Sequence, residues 1–299
     1  VKTLFNDLPF KGAYHLGAVN SINWARILAQ TVYYFYAWGR LSGGDPRHRV
    51  SFSVPTGNFG DIFAGWLAKS MGLPVIRLII ATNRNDILTR FVQTGAYAAG
   101  EVYHTLSPAM DIQLASNFER YLYFLLDEDP AAVRALLAQM EQTSAMQIDG
   151  ERLARVQRDF DARAVSDDET LAQIRAVHDA AGYILCPHTA VGAHAAAAWP
   201  DAVVLATAHP AKFNEAEVEA IGHEAPPPPA LQGLMERDTR CAELPATPDA
   251  VRGFIEETLG SAAAGPVSRL SAAPTSRPPL PCCSTSGLPG RSCAGNPAP

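Results

Sequence analysis

An eight-residue loop, VPTGNFGD at positions 54–61, has the residue types that hold an anion. Its two glycines, Gly57 and Gly60, free the backbone for a tight turn. An apolar stretch predicted to be helical follows, and the first turn of a helix offers N–H groups and the positive end of its dipole. Phosphate is therefore the expected ligand. The alternative interpretation is a glycine-rich turn that binds nothing.

The common nucleotide-binding loops do not fit this segment. It is not Gly-x-Gly-x-x-Gly, and no acidic residue follows at the distance that would reach a ribose, so a nicotinamide cofactor is disfavoured. It also lacks the Gly-Lys-Ser/Thr of a nucleoside-triphosphate loop. The phosphate must then belong to another kind of ligand.

A second polar segment lies at positions 20–26, NSINWAR. Asn23 and Arg26 fall one turn apart on the same predicted helix face. Such a pair could grip a substrate phosphate, which arginine binds with two hydrogen bonds. Asn20 or Ser21 could equally be a simple cap of that helix.

Two more polar segments follow predicted strands, CPHTAVG at 186–192 and ATAHPAKF at 206–213. His188 is either a site residue or a loop histidine with a packed ring. Thr207 could face a ligand or merely end a strand, and Lys212 could be a solvated residue of a first helical turn. Because the carboxyl ends of parallel strands meet at one edge of a sheet, these junctions together indicate a ligand crevice.

The elements that would position these residues alternate between strands and helices from residue 1 to about 222. This order predicts an α/β fold with a mainly parallel sheet and helices on both faces. The predicted strands are 50–54, 74–82, 101–105, 182–186 and 202–207. The predicted helices are 21–38, 61–71, 84–94, 116–126, 130–139, 167–180 and 191–198, with Ser166 and Glu169 as the capping box of the helix at 167.

Composition narrows the class of protein. The chain has 299 residues, 47% of them hydrophobic and 18% charged, which is typical of a globular protein. A net charge of −6 without a basic run argues against nucleic acid as a partner. The apolar stretch at 27–38 is too short to cross a membrane, and no signal peptide is visible. The five cysteines have no metal-site spacing, so we expect no metal and a cytoplasmic location.

Three regions are expected along the chain. Residues 1–222 form the α/β domain, and residues 223–259 hold a spacer of four consecutive prolines and a last helix at about 247–259. Residues 260–299 are rich in proline and serine, lack acidic residues and show no periodicity, so we expect a disordered tail.

Six segments closely resemble threonine synthase, in order and over residues 1 to about 259. They are NSINWARILAQ (20–30), VPTGNFGD (54–61), IATNRNDILTRF (80–91), DIQLASNFER (111–120), PHTAVG (187–192) and ATAHPAKF (206–213). The resemblance implies the tryptophan-synthase-β-like fold, fold type II of the enzymes that use pyridoxal 5'-phosphate. It also implies the conversion of O-phospho-L-homoserine and water to L-threonine and phosphate, the last step of threonine biosynthesis.

The resemblance carries roles to particular residues. The residues that would cradle the cofactor phosphate are Gly57, Asn58, Phe59, Gly60 and Asp61. Thr207 would contact the pyridine nitrogen, and a hydroxyl there leaves that nitrogen largely unprotonated. Asn23, Arg26 and Asn83 would lie near the substrate.

The cofactor lysine is the main departure from the family. There it lies in a His-Gly-Pro-Thr-x-x-Phe-Lys-Asp segment, which nothing here matches. The lysines of this chain are Lys2, Lys11, Lys69 and Lys212, and only Lys212 lies in a family segment, which is a different one. The cofactor lysine is therefore expected upstream of Val1, this chain supplies no catalytic residue, and alone it should be inactive.

Two other functions remain open at this stage. One is a threonine-synthase-like phospho-lyase acting on a related phosphorylated amine. The other is a non-catalytic phosphate- or cofactor-binding protein derived from the enzyme. In either case the partner is a small molecule, and the oligomeric state is a monomer or a homodimer.

Overall fold

The chain divides into two units in the computed structural model, which describes residues 2–17, 20–239 and 241–260. The larger unit is Gly17–Thr239, and the smaller combines described residues from both ends of the chain. The predicted boundary at 222 stays a prediction. Residues 261–299, nearly all of the predicted disordered tail, lie outside the described residues.

The larger unit is built on a parallel sheet. The strands of the described residues are β1 (Val50–Pro55), β2 (Val75–Thr82), β3 (Ala96–Ala98), β4 (Ala145–Gln147), β5 (Phe160–Ala164) and β6 (Val203–Val204). Four of them pair in the order β5-β2-β1-β6, with every pairing parallel. Strands β3 and β4 form a separate antiparallel pair. The mainly parallel sheet predicted from the sequence is confirmed.

Helices follow most strands. In the larger unit they are α3 (Trp24–Ser42), α4 (Gly60–Ser70), α5 (Ile87–Thr94), α6 (Phe118–Leu125), α7 (Pro130–Thr143), α8 (Gly150–Asp159), α9 (Asp167–Ala181), α10 (Pro187–Ala195) and α11 (Asn214–Ile221). The capping box of α9 is present, because Ser166 Oγ accepts from Glu169 N and Glu169 Oε2 accepts from Ser166 N. Two three-residue 3₁₀ turns lie at Pro108–Met110 and Pro210–Lys212.

Both faces of the sheet are covered. Successive side chains of a strand point to opposite faces, so each buried strand contributes to two cores. One core includes side chains of alternating positions in β1 and β2: Phe52, Val54, Leu78 and Ile80. The intervening Ile79 and Ala81 belong to a second core with Val191 and Ala195 of α10. This arrangement confirms the prediction of helices on both faces.

Two predicted strands are wrong and a third is shorter than expected. Residues 101–105 are not a strand because their backbone bonds to side chains instead: Tyr103 N donates to Asn85 Oδ1 at 2.8 Å and Thr105 N to Asp111 Oδ2 at 2.9 Å. Residues 182–186 lead into the cap of α10 without pairing to the sheet. Of the strand predicted at 202–207, only Val203–Val204 pairs.

The smaller unit contains α1 (Lys2–Asn6), α2 (Leu8–Ala13) and α12 (Pro248–Leu259). Asp7 caps α2 through Phe10 N at 3.0 Å and pairs with Arg252 of α12. The hydrogen bond from Arg252 lowers the pKa of Asp7. Arg252 also lies 4.2 Å from the centre of the Phe10 ring, so one side chain holds α12 to α2. In neither unit is a described helix long and apolar enough to span a membrane.

Candidate functional site

The glycine loop connects β1 to α4 at the carboxyl edge of the sheet. Phe59 precedes α4 in the left-handed conformation (φ 63°), and no side chain caps the helix. The N–H groups of the first turn are therefore left for another acceptor. Gly57 is held against the 3₁₀ turn at 108–110: a Cβ placed on it would lie 2.6 Å from Ala109 O. The loop has no room for a side chain at this point, and its backbone alone can face a ligand.

Phe59 anchors the loop in the core. Its side chain is buried, and its ring lies 5.1 Å from the ring of Phe118, 5.9 Å from that of Tyr121 and 5.8 Å from that of Phe160. The side chain of this predicted phosphate-cradle residue therefore points away from any ligand. Phe59 can serve the site only through its backbone and by fixing the loop.

Asn117 ties the loop to the segment at 20–26. Its backbone N–H and its Nδ2 both donate to Asn58 O, each at 3.1 Å, and Nδ2 also donates to Ser21 O at 2.9 Å. Asn117 is completely buried. No local sequence pattern predicts this role, although Asn117 lies in the family-like segment 111–120, because its partners Ser21 and Asn58 are distant along the chain.

Asp61 lies in the first turn of α4 beside a buried tyrosine. Tyr34 Oη donates to Asp61 O at 2.8 Å and lies 3.3 Å from Asp61 Oδ1. Burial raises the pKa of Asp61 to about 6, and the hydrogen bond from Tyr34 opposes this rise. The carboxyl group is thus easier to neutralise than an ordinary aspartate, which suits a position close to an anion.

Asn23 and Arg26 lie at the start of α3. Asn23, and not Asn20 or Ser21, is the N-cap, and its Oδ1 accepts from Ala25 N at 2.9 Å. Arg26 is exposed in the first turn. Both residues follow Ser21, whose carbonyl the Asn117 bond fixes near the glycine loop. Their role toward a substrate stays a prediction.

Asn83 directly follows β2 and is buried. Its Nδ2 donates to Thr105 Oγ1 at 2.7 Å, Asp111 Oδ1 at 2.8 Å and Ser107 Oγ at 2.9 Å, and its Oδ1 accepts from Asn85 N at 2.9 Å. These bonds use the amide fully and fix the loop that carries Ala109. The Asn83 side chain thus fixes the 105–111 loop that packs against Gly57, and its predicted position near the substrate stays a prediction.

Thr207 stands at the same sheet edge as the glycine loop. Strand β6 pairs with β1 through Phe52–Val203 and Ser53–Val204, and Leu205 N continues the ladder to Ser53 O at 3.0 Å. Neighbouring strands are about 4.8 Å apart, so the chain segments after β1 and β6 leave the sheet side by side. Thr207 lines a cleft of about 490 Å³ together with Tyr183, His209 and Pro226.

Helix α10 begins at this edge as well. Cys186 is its N-cap, and Thr189 Oγ1 accepts from Thr207 N at 3.2 Å. His188 is buried against the Phe213 ring at 4.8 Å, and its Nε2 accepts from Ala109 N at 3.2 Å. Ala109 thus lies against both Gly57 and His188, and His188 packs on Phe213. Three predicted polar segments therefore meet here: 54–61, 186–192 and 206–213.

The three lysine side chains that the structure describes contact residues outside the glycine loop. Lys69 Nζ lies 3.9 Å from Asp159 Oδ1, and Lys11 Nζ lies over the Phe5 ring. Lys212 Nζ lies 5.6 Å from the centre of the Phe213 ring, at a second cleft of about 400 Å³ that Thr105 and Leu106 also line. Within 2–17, 20–239 and 241–260, no cluster of His, Cys, Asp or Glu could hold a metal ion.

Comparisons with known proteins identify the relatives of this chain. The family model "Threonine synthase, C-terminal" matches residues 189–255. Threonine synthase from Pseudomonas aeruginosa is 46% identical in an alignment of 263 positions that covers 86% of this chain and 56% of that protein. Threonine synthase from Corynebacterium glutamicum is 41% identical in an alignment of 272 positions that covers 87% of this chain and 56% of that protein.

A solved structure shows the same fold. The crystal structure of PLP-bound threonine synthase from Brucella melitensis has a TM-score of 0.81 at 47% identity, covering 86% of this chain and 56% of that one. The predicted fold type II is confirmed by this likeness. The chain spans about half the length of the relatives that it matches. On sequence and structure together, the chain belongs to the threonine synthase family.

Proposed function

We propose that this chain forms the cofactor-phosphate and pyridine-nitrogen side of a threonine synthase, which converts O-phospho-L-homoserine and water to L-threonine and phosphate. The observation that carries the proposal is the parallel pairing of β1 with β6, since the glycine loop and the Thr207 segment follow these two neighbouring strands at the same edge of the sheet. The relatives support it, and one of their structures binds pyridoxal phosphate. When bound, this cofactor supplies an electron sink for negative charge at the α carbon of an amino-acid substrate.

The residues present fit the phosphate of such a cofactor. The uncapped start of α4 offers backbone donors, and Gly57 has only backbone to present because the Ala109 carbonyl fills the place of a Cβ. Residues 57–61 would hold the phosphate, and the Thr207 hydroxyl would orient the ring. Asn83 and Asn117 keep the two sides of the loop in place through the bonds described above.

Asn23 and Arg26 are proposed to bind the phosphate of the substrate. Both lie at the N-terminal end of α3, where the helix dipole favours an anion. Asn23 Oδ1 caps the helix and holds this side chain at the helix start. Arg26 is exposed and can offer two parallel N–H groups to phosphate oxygens.

The purified chain is expected to release no phosphate from O-phospho-L-homoserine. Lys11, Lys69 and Lys212 make the contacts given above, and none lies in the family's cofactor-lysine segment, so none of these three described amines is placed to carry the cofactor and move the α-proton. A colorimetric assay of phosphate release with added pyridoxal phosphate measures this. The P. aeruginosa enzyme is the positive control, and turnover by the chain at a comparable rate would refute the expectation.

Replacing Gly57 by alanine is expected to weaken the binding of pyridoxal phosphate at least about tenfold. The new methyl group would lie 2.6 Å from Ala109 O, a backbone atom, so the loop or the 108–110 turn must shift. Equilibrium dialysis of the chain with pyridoxal phosphate measures the affinity. Gly150→Ala, where a Cβ meets nothing within 4 Å, is the matched control. Equal affinity in the two variants would remove the loop from the phosphate site.

We also propose a cytoplasmic location and an assembly into homodimers. Cys186 and Cys241 are free thiols, which fits the reducing cytoplasm. Trp24, Leu28 and Val32 of α3 expose large apolar side chains, a surface that a homodimer could cover.

A further inference from the structure

The thiol of Cys186 and the hydroxyls of Thr189 and Thr207 lie close together. Cys186 Sγ lies 3.1 Å from Thr189 Oγ1 and 3.3 Å from Thr207 Oγ1, and the two hydroxyl oxygens are 3.4 Å apart. Thr189 Oγ1 accepts from Thr207 N, so its own proton is available to the sulfur. Cys186 is buried, whereas Thr207 lines the cleft. The thiol therefore reaches a ligand in the cleft only through the Thr207 hydroxyl.

Two buried titratable groups surround this thiol. Glu217 of α11 is completely buried, and neither carboxyl oxygen has a hydrogen-bond partner among the described residues. His188 of α10 is buried, and its Nε2 accepts from Ala109 N at 3.2 Å, so its ring proton is on Nδ1. A buried carboxylate without a partner is costly, so burial favours the protonated form of Glu217.

The surroundings hold both acids near their titration points. Burial raises the pKa of Cys186, but hydrogen bonds from His188, Thr189 and Thr207 outweigh it and bring the pKa to about 6. Burial raises the pKa of Glu217 to about 7, and the negative charge of Cys186 adds to the rise. Ionisation of Cys186 therefore favours the protonated form of Glu217.

We propose that Cys186 is a positioning residue that sets the direction of the Thr207 hydrogen bond and thereby the protonation of the ring nitrogen that lies against Thr207. This inference rests on the proposed function, because the ring nitrogen is that of pyridoxal phosphate. It differs from the expectation for a hydroxyl alone, which leaves the nitrogen unprotonated.

The proton balance is explicit. With Cys186 as a thiol, its S–H donates to Thr207 Oγ1, and the Thr207 O–H donates to a neutral ring nitrogen. If the thiol proton passes to Thr207 Oγ1 while the Thr207 proton passes to the nitrogen, the products are a thiolate and a protonated ring. One proton moves from sulfur to nitrogen, no bond between heavy atoms changes, and Thr207 ends as it began, as a hydroxyl. The thiolate charge stabilises the protonated ring, so the nitrogen keeps its proton to higher pH than it would beside a neutral residue.

The first arm of the test needs no cofactor. The absorbance of the Cys186 thiolate is obtained as the difference between the chain and its Cys186→Ala variant over a pH series, which cancels the other cysteines. The expected midpoint is near pH 6, below the value of about 8.5 for a free thiol. Thr207→Val removes one O–H donor and is expected to raise the midpoint, whereas Thr207→Ser keeps it. A midpoint near the free value, or one that Thr207→Val leaves unchanged, would overturn the inference.

The second arm of the test measures the protonation of the ring nitrogen directly. Pyridoxal phosphate labelled with ¹⁵N in the ring is bound to the chain, and the nitrogen chemical shift distinguishes the protonated from the neutral ring. Cys186→Ala is expected to lower the midpoint of ring protonation by at least about one pH unit. Cys186→Ser keeps the size and a hydroxyl but not the acidity, so it should behave as the alanine variant does. Cys186→Asp restores a buried anion and should restore the protonated signal.

The outcomes separate this inference from the proposed function. If labelled cofactor binds and its midpoint ignores Cys186→Ala, the inference is wrong and the proposed function stands. If no cofactor binds to the chain or to any variant, the proposed function is wrong. The assignment of Thr207 to the ring nitrogen is then wrong as well. The first arm then still decides whether the thiol and Thr207 share a proton.

Discussion

Phe59→Ala is expected to lower the free energy of unfolding by about 3–5 kcal/mol, the usual cost of removing a buried aromatic ring. The Phe59 ring is 2% exposed and packs against Phe118, Tyr121 and Phe160. Alanine would keep the left-handed backbone but leave a cavity beneath the loop. The same variant should lose pyridoxal phosphate binding, since the loop would no longer be held at its midpoint.

Urea unfolding followed by circular dichroism measures the change in stability. Phe35→Ala is the matched control, because Phe35 lies on α3 with 37% of its surface exposed. That variant should lose about 1 kcal/mol or less, as surface substitutions usually do. Equal losses in the two variants would show that the aromatic cluster does not anchor the loop.

Gly65→Ala is expected to destabilise the chain by about 1–3 kcal/mol or more, although alanine favours a helix over glycine by about 1 kcal/mol. A Cβ on Gly65 would lie 2.6 Å from Tyr34 Cε1 and 2.9 Å from Tyr34 Oη. The Tyr34 ring cannot withdraw, because it is completely buried and packs 4.8 Å from Phe52. Displacing it would also break its hydrogen bond to Asp61 O.

Gly39→Ala provides the control for this prediction. Gly39 lies on the same helix as Tyr34, and a Cβ there meets nothing within 4 Å. Thermal unfolding should show that Gly39→Ala is neutral or slightly stabilising while Gly65→Ala lowers the midpoint. In the double variant Tyr34→Val/Gly65→Ala, the glycine substitution should cost less than it does alone, because the clashing ring is absent. A Gly65→Ala variant as stable as Gly39→Ala would contradict the packing described here.

Local sequence signals were sufficient where one segment determines its own structure. Strands β1 (VSFSVP) and β2 (VIRLIIAT) are rich in β-branched and other apolar residues, the capping box of α9 lies within four residues, and the glycine loop is marked by residue type. The sequence thus identified the loop and the parallel sheet. Strand β5, with the sequence FDARA, has no such run and forms a strand because β2 pairs with it.

The polar contacts of the site depend on residues far apart in the sequence. Asn83 meets Asp111, Asn58 meets Asn117, and Cys186 meets Thr207 only after the sheet has formed. The buried position of Glu217 could not be predicted from the local sequence either. Its neighbours Ala216 and Ala220 are buried, and helical spacing places Glu217 on that inward side, but a glutamate in a polar stretch reads as solvated. Its buried position follows from the packing of α11, which no local pattern reveals.

The shortness of β6 gives a bound ligand a mechanical role. Only Val203 and Val204 pair with β1, so this edge of the sheet is held by few backbone hydrogen bonds and is a place where local opening should be easy. A molecule whose phosphate rests on the glycine loop and whose ring rests on Thr207 would act as a cross-link between two strands about 150 residues apart along the chain. The cofactor would then stabilise this edge of the sheet as well as take part in the chemistry, and the amide hydrogen of Leu205, which bonds to Ser53 O, would exchange more slowly in its presence.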